Sequence, residues 1–156
     1  MIGISLLLVL TGCDRIANPG QTVQGYGRVI DGDSLIVDSK KIRLWGIDAV
    51  ELNQTCTRNG QPWRCGQAAK TALARKIDGA SLTCRRQDRD RYGRIVAECF
   101  VSKYSVNGWM VRRGWALAYQ RYSAKFIEDE RAAKRDRLGL WQSRFEKPWN
   151  WRRGTN

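Results

Sequence analysis

At 156 residues the chain suits one domain with one core, since domains run to roughly 100–150 residues. A hydrophobic content of 42% with seven Trp argues against disorder, and 28 Lys+Arg against 15 Asp+Glu give a formal net charge of +13, which points to a polyanionic partner. The absence of His excludes Ser-His-Asp hydrolysis, a histidine general base and histidine-ligated zinc. Acid–base work then falls to Asp, Glu, Lys or Tyr, and a metal would be a hard cation held by oxygen.

Residues 1–12 read as a lipoprotein-type signal peptide. The apolar run Leu6 to Leu10 is far shorter than the about 20 residues needed to span a bilayer. It leads into Leu10-Thr11-Gly12-Cys13, which has the form of a lipobox with Cys13 as the lipidated residue, although no Lys or Arg precedes the run. The expectation is an exported bacterial protein, periplasmic or anchored to the membrane through that lipid. Residues 13–22 read as a linker.

The folded domain is expected over 23–145. Alternating or β-branched runs at 23–30, 34–37 and 41–47 predict strands, with turn chemistry at Asp31-Gly32-Asp33 and Asp38-Ser39-Lys40. The Ala-rich stretch 67–77 predicts a helix stopped by Asp78-Gly79. Strands are predicted at 81–85 and 94–101, then helices at 106–113, ended by Gly114, and at 124–137, ended by Gly139. Residues 146–156 read as a basic tail. The order predicts an α+β, mainly β fold: a five-stranded barrel of the oligonucleotide-binding type with three helices.

Besides Cys13 the chain carries Cys56, Cys65, Cys84 and Cys99. Four cysteines in an exported chain predict two disulfides among three possible pairings. Cys84 and Cys99 flank Asp90-Arg91-Tyr92-Gly93 almost symmetrically, so a hairpin would set them opposite each other and leave Cys56 with Cys65. A zinc site is the alternative, but the spacings lack a short paired knuckle.

The acidic residues of interest are Asp33, in Val29-Ile30-Asp31-Gly32-Asp33-Ser34, and Asp48 and Glu51, in Arg43-Leu44-Trp45-Gly46-Ile47-Asp48-Ala49-Val50-Glu51. Strand ends and turns at one mouth of a small barrel can bring such carboxylates together, where they repel unless cations neutralise them. Arg43 and Arg94 offer planar forks suited to phosphate oxygens.

These blocks, with Asp90-Arg91-Tyr92-Gly93-Arg94, Val111-Arg112-Arg113-Gly114-Trp115-Ala116 and Gly139-Leu140-Trp141, resemble the staphylococcal-nuclease (thermonuclease) family. The likeness runs from about Gly25 to Trp141 in order and with similar spacing. It implies calcium-dependent cleavage of DNA and RNA, as single strands or fraying duplex, by a monomer that leaves 3′-phosphates with little sequence preference. By the same resemblance Asp33, Asp48 and the backbone carbonyl of Ala49 hold Ca²⁺, Glu51 orients or deprotonates the attacking water, and Arg43 and Arg94 hold the phosphate. Tyr92 corresponds to a tyrosine touching the terminal phosphate, Asp31 to a supporting acid, and Tyr119 and Tyr122 to tyrosines that pack on bases. Ala49 and Val50 replace the Thr and Pro common in the family, and losing the proline, which fixes φ at about −65°, loosens the segment between Asp48 and Glu51. The alternative is a weak or inactive barrel that binds nucleic acid as a lipoprotein.

Overall fold

A computed structural model describes residues 20–154. The signal-like segment, Cys13 and most of the linker lie outside the described residues. Strand β1 (Thr22–Val29) pairs antiparallel with β2 (Ser34–Val37), and β2 with β3 (Lys40–Leu44). The second hairpin turns on Asp38 and Ser39, both at positive φ (46° and 59°), the backbone of a two-residue turn matched to strand twist. Trp45 and Gly46 interrupt the run predicted at 41–47: Gly46 adopts φ 73°, and the chain resumes as β4 (Ile47–Ala49). The break turns β4 away from the barrel to pair with β10 (Ala116–Ala118).

Between them lie a hairpin of β5 (Cys56–Arg58) and β6 (Gln61–Trp63), helix α1 (Cys65–Ile77), β7 (Ser81–Arg89), β8 (Ile95–Val101), β9 (Tyr104–Ser105) and helix α2 (Val106–Arg112). After β10 come α3 (Ile127–Arg135), a 3-10 turn at Gly139–Gln142, and α4 (Pro148–Gly154). Strands β3, β2, β1, β7 and β8 are neighbours in that order, and parallel pairing of β3 with β8 closes them into the expected five-stranded barrel. Its interior is filled by Leu35, Val37, Ile42, Leu44, Leu82, Ile95 and Ala97, with Leu73 and Ile77 of α1 packed on the same core. Burying these apolar side chains supplies the main drive to fold, at about 25 cal/mol per Å² removed from water.

Three helices are expected, and the described residues contain four. The addition is α4, whose seven residues, Pro-Trp-Asn-Trp-Arg-Arg-Gly, are too few to form a helix on propensity alone, so tertiary contact holds it. It lies within the stretch read as a basic tail. The last predicted helix is shorter than 124–137 because Ser123 and Phe126 shape an entry turn: Lys125 N donates to Ser123 Oγ, and Phe126 is buried under the helix start.

Both expected disulfides are present. Cys84 and Cys99 face each other in the β7–β8 register and are bonded, and Cys56 is bonded to Cys65. The sulfurs are thus consumed, which removes the zinc alternative. Among the described residues no helix is long and apolar enough to cross a membrane.

Candidate active site

The turn between β1 and β2 presents Asp33. Asp31 Oδ1 accepts the Asp33 N–H at 3.0 Å, and the Ile30 and Asp31 N–H groups donate to Ser34 O. This small polar turn fixes a buried carboxylate at the barrel mouth. Asp33 Oδ1 accepts from Ser34 Oγ (3.1 Å) and Arg43 Nη1 (3.0 Å), and Oδ2 accepts from Ala49 N (2.9 Å). Arg43 stands opposite Ser34 in the β2–β3 register, and its Nη2 reaches Asp48 Oδ1 at 2.9 Å. One guanidinium therefore bridges two acids that would otherwise repel. Asp48 is fully buried, and burial, with the nearby Asp33 charge, pushes its carboxyl above the usual range despite the arginines that pull it down. Asp31 is raised for the same two reasons. Arg43 holds its proton more firmly than a free guanidinium, chiefly because of Asp33.

Glu51 follows β4, and its backbone is clamped by Gln54, a residue that the sequence reading passes over. The Glu51 N–H donates to Gln54 Oε1 (3.1 Å), and Gln54 N donates back to Glu51 O (2.8 Å). The Gln54 side chain is fully buried, and its Nε2 donates to Glu146 O at 2.7 Å. Gly66, in the first turn of α1, gives its N–H to Gln54 O. Val50 is buried with Cys56, Cys65, Ala69, Leu117 and Leu140, so packing restrains the segment where the proline is missing.

Arg94 precedes β8. Its Nε donates to Asp90 Oδ2 (2.7 Å), its N–H to Asp90 Oδ1 (3.0 Å), and its Nη1 reaches Ser34 Oγ at 3.4 Å. Burial opposes the charge on Asp90, but the hydrogen bonds from Arg94 and the Tyr92 N–H prevail and hold its carboxyl below the usual range. Ser34 links Arg94 to Asp33, so one hydrogen-bonded chain connects Arg94, Ser34, Asp33, Arg43 and Asp48.

Two acids bridged by an arginine, a third carboxylate beside them and a second arginine at the same mouth form the constellation that the motifs imply. A model of staphylococcal nuclease homologues matches residues 41–143. The chain belongs to the staphylococcal nuclease family. It is 36% identical to a probable staphylococcal-like nuclease of Oryza sativa subsp. japonica over 83% of this chain and 38% of that one. It is 32% identical to an uncharacterized endonuclease of Haemophilus influenzae, covering 96% and 83% of the two chains. It is also 32% identical to a micrococcal nuclease of Shigella flexneri, covering 82% and 79%. The chain thus spans about two fifths of the rice protein and most of each bacterial one.

The family's metal position can be tested against these side chains. Among the described residues no group of three or more His, Cys, Asp or Glu is placed to hold a metal. The acids available are Asp33 and Asp48, close enough that the Asp33 charge helps to raise the Asp48 carboxyl, beside the Ala49 peptide that already faces Asp33. An all-oxygen set short of a full cage suits a hard divalent ion that keeps several waters.

The tyrosines divide. Tyr92 is exposed, 5.7 Å from the Arg94 guanidinium across its ring face. Tyr119 and Tyr122 pack edge to face at 5.1 Å, outside the hydrogen-bonded chain, and Tyr119 is stacked on Trp149 of α4 at 5.5 Å. The same helix delivers a residue that no motif announced. Arg152 Nη2 lies 2.7 Å from Asp48 Oδ2, and its Nη1 is 3.1 Å from Asp48 Oδ1 and 2.6 Å from Glu51 Oε1. These carboxylates hold its proton more firmly than usual, the Asp48 hydrogen bond foremost. Arg152 falls beyond the family match, and its only signal in the sequence is the pair Arg152-Arg153 in a stretch read as bulk positive charge.

Proposed function

We propose that this protein is a calcium-dependent nuclease that hydrolyses phosphodiester bonds of DNA and RNA with little sequence preference and leaves 3′-phosphates. The observation that carries this reading is the assembly of Asp33, Asp48, Glu51, Arg43 and Arg94 at one barrel mouth, within a chain of the staphylococcal nuclease family. The named endonuclease and micrococcal nuclease relatives support it. A barrel that merely binds nucleic acid would have no use for two buried acids bridged by an arginine at its mouth.

Asp33, Asp48 and the Ala49 carbonyl would hold Ca²⁺. Bound there, the ion neutralises charge on a phosphate oxygen and lowers the pKa of bound water. Glu51, its backbone fixed by Gln54, accepts a proton from the attacking water. The water oxygen forms a bond to phosphorus as the bond to the 5′ oxygen breaks, and that oxygen leaves as a hydroxyl after taking a proton from solvent. Arg43 and Arg94 meet the charge that builds on the phosphoryl oxygens, where preorganised donors contribute most. Arg94 is suited to this because its Nε and Nη1 are engaged by Asp90 and Ser34, while among the described residues its Nη2 donates to none. The charge of +13 draws in the strand without reading bases, so binding weakens steeply with salt.

The signal-like run and lipobox support export, with anchoring through Cys13. A mature N-terminal peptide beginning at Met1 would sink that part. The activity is tested by incubating the purified protein with single-stranded DNA and with RNA, in Ca²⁺ or in chelator, and mapping the ends. Cleavage in calcium alone, with 3′-phosphate ends, is expected. Undiminished cleavage in chelator overturns the metal site as assigned.

A further inference from the structure

Helix α4 puts a cation of the protein's own onto the acids assigned above to metal and water. Arg152 spans both oxygens of Asp48 and shares one nitrogen with Glu51. Asp48 is fully buried and Arg152 only partly exposed, so this pair is far less screened than a surface ion pair. Contacts beyond the arginine also hold the helix in place. Trp149 stacks on Tyr119, Pro148 is buried, and the Glu146 carbonyl just before the helix accepts from Gln54, the residue that clamps Glu51.

Asp48 Oδ1 already accepts from Arg43 and Arg152, and Oδ2 from Arg152. A divalent ion at Asp48 would have to share these oxygens with the Arg152 guanidinium and sit against its positive charge. At such range two cations repel strongly in a partly buried site. Glu51, meanwhile, cannot take a proton from water through an oxygen engaged by Arg152.

We propose that Arg152 is a working residue of this site, its resident counter-ion. The guanidinium and the divalent cation are alternative partners of Asp48 and Glu51, and loading the metal displaces α4 from the barrel mouth. The inference rests on the calcium reading above. It gives the metal-free protein a preassembled site with no unpaired buried acid, and it gives the strand and the ion a mouth that opens only when both Arg152 and Trp149 withdraw. Loss of Trp149 from Tyr119 on loading would free the tyrosine face that Trp149 now covers.

Calcium titration calorimetry on the full chain tests this, comparing the unaltered protein with Arg152→Gln and Arg153→Gln. Arg153 sits on the same helix, bonded to Asn150 and away from the acids, and controls for the loss of one positive charge. Arg152→Gln should bind Ca²⁺ about tenfold or more tightly, as expected when a competing charged hydrogen-bond partner is removed, while Arg153→Gln should match the unaltered protein. In chelator, Arg152→Gln should melt at a lower temperature and recover more on adding Ca²⁺, because Asp48 is left with Arg43 as its one charged partner and loses both bonds from Arg152. Equal affinities for all three proteins, or weaker binding by Arg152→Gln, overturn the competition while leaving the calcium site intact. No binding heat or thermal shift with any of the three overturns the calcium reading itself, and the competition with it.

Discussion

Gly66 lies so close beneath Glu51 that a Cβ built on it would fall 1.8 Å from the Glu51 carbonyl oxygen and 2.7 Å from that of Leu52. Both atoms are backbone, so neither can swing aside as a flexible side chain would. In an ordinary helix, Gly→Ala gains about 0.5–1 kcal/mol. Here Gly66→Ala should instead cost at least the roughly 1–3 kcal/mol of an overpacked core, as the loop bearing Glu51 is pushed off the start of α1. Urea unfolding and single-turnover cleavage should both register the damage. A variant as stable and active as the parent would mean that this loop tolerates displacement and that Glu51 needs no fixed backbone.

Asp90 ties the acid stability of the protein to the aim of Arg94. Its carboxyl is held below the usual range, so the unfolded chain binds a proton at higher pH than the folded one. The stabilisation is present above the unfolded value of about 3.9 and is lost as pH falls through the lower folded value. Asp90→Asn should remove this portion of the acid-range slope. It should also reduce kcat near neutral pH, where Asp90 is charged in the parent, because Nε of Arg94 loses its charged partner. Melting temperatures from pH 2 to 7 and a kcat profile check both arms, and parallel stability curves for parent and variant would contradict the first.

The two disulfides should differ in what they protect. Cys84–Cys99 closes a 15-residue span inside the barrel, where the chain-entropy account assigns about 3 kcal/mol. Cys56–Cys65 joins the β5–β6 hairpin to the start of α1, and its Cys65 Sγ lies 3.4 Å from the Gln54 carbonyl. Replacing Cys84 and Cys99 by Ala should lower stability with kcat largely kept at a temperature where the protein stays folded. Replacing Cys56 and Cys65 should lower kcat as well, because the Glu51 clamp loses its anchor. Equal kcat losses in the two double variants would count against that division.

What the sequence discloses follows the range of the interactions involved. Asp33, Arg43, Asp48 and Glu51 are legible as members of short motifs whose spacing survives folding, although Asp48 stands in the middle of β4 and not just past a strand end. The strands of the barrel are legible through their alternation, and the Cys84–Cys99 bond through hairpin symmetry. The split at Gly46 is hidden, since β4 exists to pair with β10, almost 70 residues downstream. The same holds for Gln54, whose partner at Glu146 is 92 residues away, and for Arg152, 104 residues from Asp48. Short α4 carries no period strong enough to announce it, and tertiary docking, on Tyr119 and the acids among others, gives it a place. Tyr119 itself reads as a base-packing ring, but the sequence offers no hint that Trp149 stacks on it.

Replacing the arginines by lysine separates binding from chemistry, and the geometry makes the two positions unequal. Arg94→Lys keeps the charge but cannot hold Asp90 through Nε while extending a second arm toward Ser34 and the phosphate. Attraction to the strand depends on the whole positive excess and should barely change. Transition-state stabilisation should fall, because donors at the reacting phosphate act most as charge builds on its oxygens. Loss of one such donor costs about 2.7–4 kcal/mol, on the order of 10²–10³ in rate. Arg94→Lys should therefore lower kcat by that factor with KM little altered. Arg43→Lys should do more, since one ammonium cannot bridge Asp33 and Asp48 as the fork does with 3.0 and 2.9 Å contacts. In metal-free buffer it should also lower the melting temperature, and by more than Arg94→Lys, which loosens only the pair with Asp90. Steady-state cleavage of a defined oligonucleotide and thermal melts in chelator measure both. A rise in KM at constant kcat would show that the arginines only bind substrate, and full activity in both variants would leave the nuclease reading without its central residues.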